Sequence, residues 1–391
     1  MVSIRLQNLL YFFFLLSAFG ALFISGWWPL EKQGIGGGHN YVDLKAVLDV
    51  AQCYLTEGKT VFSEGSICAY QYGVFLLDFI NVLGLTSINY KLLGFTLFFL
   101  SAIFLSFVAA STSYSSRSRF LSALLVLSTG SWLLFERGNF DSLIFLIVLA
   151  SLLFLDTKYS LVGFALIGTT ALMKFYTLPL LFLFVVLEKK RGTKIFGVLL
   201  TLIIVFRIIP DITAASSHPN PLFAAFGVSA PALWVNFLSW KFELGITLGI
   251  EIQYLLGYVI LLTVISLIKL TALGKRFQIK YEDKEGKWRE KVFLMSSGVF
   301  LSCFLAGMNY DYRLIYLSIA LIMLNAANPK LITNKIFISL ELSALWFTYF
   351  FFGITGPIQV ILAFIGHLSQ LLLASILILT TFDYLKTKVD F

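Results

Sequence analysis

The chain is poor in charged residues and in the residues that build metal sites. Only 13% of its 391 residues are charged and 59% are hydrophobic, with a mean hydropathy of +0.88. This balance excludes a soluble globular domain, in which about 25% of residues are charged. The three histidines, His39, His218 and His367, lie far apart and lack the spacing of a zinc site. The composition therefore predicts a membrane protein, and the histidines give no reason to expect a zinc ion.

The sequence also lacks an internal repeat and a separate soluble domain. Transporters tend to carry repeats with charged sites in corresponding halves, so this absence weighs against a transporter. Residues 1–391 are predicted to form a single integral-membrane domain. The net charge of +8 reflects mainly the lysines and arginines of cytoplasmic loops, and it gives no reason to expect nucleic acid as a partner.

Apolar runs of about 14–25 residues recur along the chain and indicate transmembrane helices. The run from Leu9 to Trp28 follows Arg5 and has no small-residue cleavage site, so it is predicted to be a retained first span. Lysine and arginine in short loops mark the cytoplasmic side and place both termini there. The predicted fold is an all-α polytopic membrane protein with about 12 transmembrane helices, at residues 9–28, 91–113, 119–135, 140–155, 160–173, 176–188, 194–209, 245–269, 292–308, 313–327, 335–352 and 357–381.

The first extracytoplasmic loop, residues 30–90, contains two helical segments, one of which is apolar but does not fit as a span. If residues 72–85 spanned the membrane, every later loop would be inverted against the charge bias, so this segment is predicted to lie on the membrane surface. Residues 41–55 form a second surface helix with one apolar face. A second outer loop, residues 210–242, is rich in proline and aromatic residues, and residues 271–291 form a cytoplasmic loop.

Two short clusters, residues 136–141 and 309–313, place arginines beside carboxylates at helix ends predicted to face away from the cytoplasm. Short loops on that side normally avoid arginine. A guanidinium group stays charged and binds phosphate oxygens through two parallel hydrogen bonds, so the clusters suggest a site for a phosphate. The alternative is that the arginines pair with the nearby carboxylates of Glu136, Asp141 and Asp311 or extend to lipid headgroups.

This layout of a first span, an outer loop with two surface helices and a bundle of short spans resembles the GT-C glycosyltransferases. It is similar in particular to polyprenyl-phosphate-mannose-dependent mannosyltransferases and their uncharacterised relatives. The resemblance covers residues 1–190 and 309–313, and it rests on Asn40-Tyr41-Val42-Asp43-Leu44-Lys45, Leu55-Thr56-Glu57-Gly58-Lys59, Arg137-Gly138-Asn139, and Lys174 shortly before Pro179. The chain departs from these relatives in having no proline just before the second surface helix and four residues between Lys174 and Pro179.

The resemblance implies a hexosyltransferase that moves a sugar from a polyprenyl-phosphate donor to a lipid or glycan acceptor on the extracytoplasmic side, with inversion at the anomeric carbon. Asp43 is predicted to be the general base, although an aspartate at a helix start is also a common N-cap. Arg137, Arg313 and Lys174 are predicted to bind the donor phosphate, although Lys174 could simply extend to headgroups. The predicted substrate-binding residues are Glu136, Asn139, Asn309, Tyr310, Asp311, Tyr312 and Glu251.

No cofactor is predicted, and a divalent ion held by Asp43 with Asp49 or Asp211 is the less favoured alternative. The expected partners are the donor, the acceptor and membrane lipids, and the expected location is a bacterial cytoplasmic membrane. Cys53 and Cys68 could form a disulfide in an oxidising compartment, or both could be unpaired. The alternative functions are a polymerase or ligase of lipid-linked glycans and a transporter of lipids or sugars.

Overall fold

The structure, a computed structural model, describes residues 2–26, 41–57, 74–112, 115–155, 157–215, 225–245, 247–270, 286–306, 309–310, 313–348 and 357–388. Within these residues the chain is all-α, with 16 helices and one pair of two-residue strands. The helices are α1 (Val2–Ile24), α2 (Val42–Glu57), α3 (Val74–Val82), α4 (Tyr90–Thr112), α5 (Ser116–Val126), α6 (Thr129–Arg137), α7 (Asp141–Phe154), α8 (Ser160–Met173), α9 (Leu178–Leu187), α10 (Arg191–Ala215), α11 (Ala230–Lys241), α12 (Ile250–Leu270), α13 (Gly286–Leu305), α14 (Leu314–Ala327), α15 (Lys335–Trp346) and α16 (Pro357–Lys388). The strands β1 (Ala225–Phe226) and β2 (Asn309–Tyr310) pair antiparallel.

Five helical segments in the described part of the chain are long and apolar enough to cross a membrane. A sixth is possible if α5 and α6, which meet at an angle of 40°, form one bent span. These segments identify an integral membrane protein. The five are Leu6–Ile24, Ser87–Thr112, Arg191–Ile209, Glu251–Leu270 and Pro357–Lys388.

The prediction of about 12 spans is wrong by length and composition. Several predicted spans correspond to apolar helices that are too short, among them α7, α8 and α14 with 14 residues each. At a rise of 1.5 Å per residue such a helix is about 21 Å long, whereas the hydrocarbon core is about 30 Å thick. Two other predicted spans fail for different reasons: α13 begins with charged residues, and α15 has only 12 residues.

Contacts within the chain divide it into two compact units. The first unit comprises Met1–Gln33, Leu105–Leu133 and Asn220–Phe391, and the second comprises Gly34–Phe104 and Leu134–Pro219. Each unit is described by itself.

In the first unit, α14 is a core helix. All of its residues from Leu314 to Asn325 are buried, and it packs along α13. A helix that is apolar on every side has to be covered on every side, and here protein covers it. The neighbouring α15 packs along α16, and its C-terminal end is held by a hydrogen bond of 2.9 Å from Trp346 Nε1 to the carbonyl of Leu124.

In the second unit, α8 packs against α3, α7, α9 and α10, and α2 packs against α3. The two helices of the first outer loop were predicted at residues 41–55 and 72–85, and the structure has α2 and α3 there. The helix ends that matter for the site lie in this unit: the starts of α2 and α7, and the ends of α6 and α8.

Candidate active site

The start of α2 is fixed against the turn between α6 and α7. Tyr41 precedes the helix with a φ of +67°, and its N–H donates to the carbonyl of Glu136 at 2.7 Å. The Tyr41 ring lies against Gly94 and Gly138, where any side chain would collide with it. Tyr41 is buried, and this burial raises the pKa of its hydroxyl. The result is a rigid backbone position for the next residues, which include Asp43.

The turn itself is built by Gly138. This residue has a φ of +59°, a conformation that glycine adopts without strain at the end of a helix. Its N–H donates to the carbonyl of Leu134 at 3.1 Å, which closes α6. The side-chain Oδ1 of Asn139 then accepts the N–H of Asp141 at 3.1 Å and so starts α7. Arg137 and Asn139 are thereby held on either side of one glycine.

Both carboxylate oxygens of Asp43 are engaged by this turn. Oδ1 forms an ion pair with Nη2 of Arg137, and Oδ2 accepts a hydrogen bond of 3.2 Å from Nδ2 of Asn139. The two side chains of the ion pair keep partial access to solvent, with 28% of Arg137 and 18% of Asp43 exposed. Because Asp43 also lies in the first turn of α2, the helix dipole favours its negative charge.

A second, fully buried pair of charges lies behind the first. Lys174, at the end of α8, is 2% exposed, and its Nζ lies 2.9 Å from Oδ1 of Asp141, which is 1% exposed. The hydroxyl of Tyr176 donates to the same carboxylate oxygen at 2.5 Å. Lys174 Nζ also donates to Oδ1 of Asn139 at 2.8 Å. Asn139 thus connects the buried pair to Asp43.

The structure therefore brings together several residues that the sequence predicted from separate motifs. Asp43, Arg137, Asn139 and Lys174 form one connected cluster, and Glu136, which is buried, contributes its backbone carbonyl to the placement of Tyr41. Asp141 was considered only as a partner of the arginines, and no pattern in the sequence identified Tyr176. The roles of all these residues in substrate binding stay predictions.

The other predicted site residues lie in the first unit or outside the described residues. Arg313 is 4% exposed and precedes α14, and Glu251 is exposed in the first turn of α12. Asn309 and Tyr310 form β2, in which Tyr310 is paired with Ala225. This pairing joins the second outer loop to the Asn309–Arg313 cluster, a link that the sequence did not predict. Asp311 and Tyr312 lie outside the described residues.

An exposed ion pair on α2 provides a contrast with the site. Lys45 Nζ lies 2.7 Å from Oδ2 of Asp49, and the side chains are 49% and 45% exposed. Burial opposes ionisation of Asp49, but hydrogen bonds from Lys45 and Ser87 and the lysine charge outweigh it, so the pKa of Asp49 lies below its ordinary value. The hydrogen bond and charge of Asp49 raise the pKa of Lys45.

Two further predictions concern the cysteines and a metal. Cys53 is disulfide-bonded and Cys303 is a buried thiol that forms no disulfide, while Cys68 lies outside the described residues. In the part of the chain that the structure describes, no three His, Cys, Asp or Glu side chains are grouped as a metal site requires. The absence of a metal cofactor stays a prediction.

Comparisons of the chain with protein-family models, with curated proteins and with solved structures find no match.

Proposed function

We propose that this protein is an inverting glycosyltransferase of the GT-C type that uses a polyprenyl-phosphate sugar as its donor. The sugar passes to a lipid or glycan acceptor on the extracytoplasmic side of the membrane. Asp43 is the general base, and Arg137 binds the donor phosphate.

The observation that carries this proposal is the meeting of Asp43 with Arg137 and Asn139. The two motifs lie 96 residues apart in the chain, as measured from Asp43 to Asn139. A transferase of this kind needs a base for the acceptor hydroxyl and a cation for the charge that develops on the phosphate. The cluster provides one carboxylate and one guanidinium in direct contact, with both side chains partly open to solvent.

The chemistry follows from these two groups. The acceptor oxygen attacks the anomeric carbon, a new glycosidic C–O bond forms, and the C–O bond to the polyprenyl phosphate breaks. The phosphate leaves with the bonding electron pair, and Asp43 takes the proton of the acceptor hydroxyl. The guanidinium of Arg137 stabilises the dianionic leaving group, in which charge grows as the bond breaks.

We infer the order in which donor and acceptor bind from the ion pair between Arg137 and Asp43. A donor phosphate competes with Asp43 for the guanidinium of Arg137, since both are anions that bind it through oxygen. When the phosphate binds, Oδ1 of Asp43 becomes available to the acceptor hydroxyl, while Asn139 continues to hold Oδ2. We therefore expect the donor to bind before the acceptor. The role of Arg313 in binding phosphate stays a prediction.

The test is a transfer assay with purified protein in lipid nanodiscs. Radiolabelled hexosyl phosphates of a polyprenol are supplied with a lipid and glycan extract, and the product is analysed by NMR for its anomeric configuration. The proposal predicts transfer with inversion, and a pattern of product inhibition that shows the donor binding first. Absence of transfer with every donor would overturn it. If the protein instead moved labelled lipid across vesicle membranes, the transporter alternative would replace it.

A further inference from the structure

Lys174 was predicted to bind phosphate, but its surroundings point to another task. Its side chain is 2% exposed, and its ammonium group is already matched by the carboxylate of Asp141, a side chain that is 1% exposed. Tyr176 donates to the same carboxylate oxygen and helps to keep it in place. A phosphate could reach Lys174 only by separating this pair, which would leave the carboxylate of Asp141 buried without its cation. Such a separation is strongly unfavourable.

The contacts of Asn139 show what Lys174 does instead. A side-chain amide has one accepting end and one donating end, and its partners decide which way it faces. Here Oδ1 accepts from Lys174 Nζ at 2.8 Å and from the N–H of Asp141 at 3.1 Å. Both partners are donors, so the oxygen must face them. The NH₂ group therefore faces Asp43, and it donates to Oδ2 at 3.2 Å.

We propose that Lys174 is a positioning residue for Asp43 that acts through Asn139. The lysine charge holds the amide of Asn139 in the orientation that donates to the carboxylate. Asp141 and Tyr176 hold the lysine. This inference rests on the proposed role of Asp43 as the base, because the position of its carboxylate matters only if that group receives a proton.

The experiment compares two variants, each of which interrupts the hydrogen-bonded path from Lys174 through Asn139 to Asp43 at a different residue. Asn139→Leu removes the amide and leaves the buried pair intact. The double variant Lys174→Met with Asp141→Asn removes both buried charges together, so that neither remains unpaired. Folding is checked for each variant by thermal unfolding.

The first readout is the time course of carbodiimide labelling of Asp43 at one fixed pH, quantified by mass spectrometry. Carbodiimides react with the protonated carboxyl group. Without the donated hydrogen bond the carboxylate is less stable, so Asp43 is labelled about tenfold faster in both variants than in the wild type. Asp49, on the same helix, is the internal control and keeps its labelling curve. An unchanged curve for Asp43 would overturn the proposal.

The second readout is the kinetics of transfer. A positioning role predicts that both variants lower kcat by a similar factor, that their combination loses little more, and that the KM for the donor changes less than twofold. A tenfold rise in donor KM with unchanged kcat in the Lys174 variant would instead identify a phosphate ligand. If the wild type transfers no sugar, the proposed function fails, and the labelling curves alone decide whether Lys174 positions Asp43.

Discussion

The ion pair between Arg137 and Asp43 and the second ion pair of α2, between Lys45 and Asp49, are expected to differ in their contribution to the free energy of unfolding. In the first pair 28% and 18% of the side chains are exposed, and in the second 49% and 45%. A hydrogen bond to a charged group that is partly shielded from water contributes about 1.5–3 kcal/mol. An exposed pair four residues apart on a helix contributes about 0.3–0.5 kcal/mol.

These values predict the outcome of two double-mutant cycles. The first combines Asp43→Asn with Arg137→Met, and the second combines Asp49→Asn with Lys45→Met. We expect a coupling energy of about 1.5–2 kcal/mol in the first cycle, because the partial exposure places this pair at the low end of the shielded range. The second cycle is expected to give a clearly smaller coupling energy, because both side chains are about half exposed to solvent.

The assay is equilibrium unfolding in mixed detergent micelles, followed by tryptophan fluorescence and extrapolated to the absence of denaturing detergent. Salt provides a further check, since it weakens the exposed pair more than the shielded one. Equal coupling energies in the two cycles would contradict this expectation, because they would show that the contact of Arg137 with Asp43 is no stronger than an ordinary surface pair.

Three further predictions use the same free energy of unfolding. Tyr41→Phe should be neutral or stabilising by up to about 1 kcal/mol, because the buried hydroxyl has no hydrogen-bond partner among the described residues, and a loss above 1 kcal/mol would contradict this. Gly138→Ala should cost about 2–4 kcal/mol, because the position has a positive φ and the new methyl group would clash with Tyr41. Gly84→Ala is the control: it has a φ of +62° but nothing within 4 Å, and it should cost about 1–2 kcal/mol. Equal costs for the two variants would contradict the clash. Glu341→Gln should change the free energy of unfolding by less than about 1 kcal/mol. The carboxyl group is fully buried and accepts a hydrogen bond of 2.8 Å from Asn325, so it is expected to be neutral. A loss above about 3 kcal/mol would indicate a buried charge.

The helices of the second unit show how far the sequence could predict the fold. The apolar faces of residues 41–55 and 72–85 predicted α2 and α3, since helical periodicity is a local property. The number of membrane spans could not be predicted from local periodicity. A helix such as α14, buried on every side by protein, has the same apolar composition as one surrounded by lipid, and hydropathy does not distinguish the two.

The residues of the site could be predicted individually, but the contacts between them could not. Arg137 was identified because short outer loops normally avoid arginine, whereas Asp43 and Lys174 were identified from the family resemblance and, for Asp43, from its place in the outer loop. The carboxylates considered for Arg137 were those close to it in sequence, Glu136 and Asp141. The structure pairs it with Asp43 instead, because packing in the second unit brings the start of α2 to the turn after α6. Such long-range contacts leave no mark on local sequence.

The role of Asp43 as the base of a glycosyl transfer is tested most directly by comparing two variants. Transfer of radiolabelled sugar from a polyprenyl-phosphate donor is measured for Asp43→Asn and for Asp49→Asn, both relative to the wild type and both shown to be folded. We expect a loss of about 100-fold or more for Asp43→Asn and nearly full activity for Asp49→Asn. Transfer by Asp43→Asn equal to that of Asp49→Asn would contradict this role.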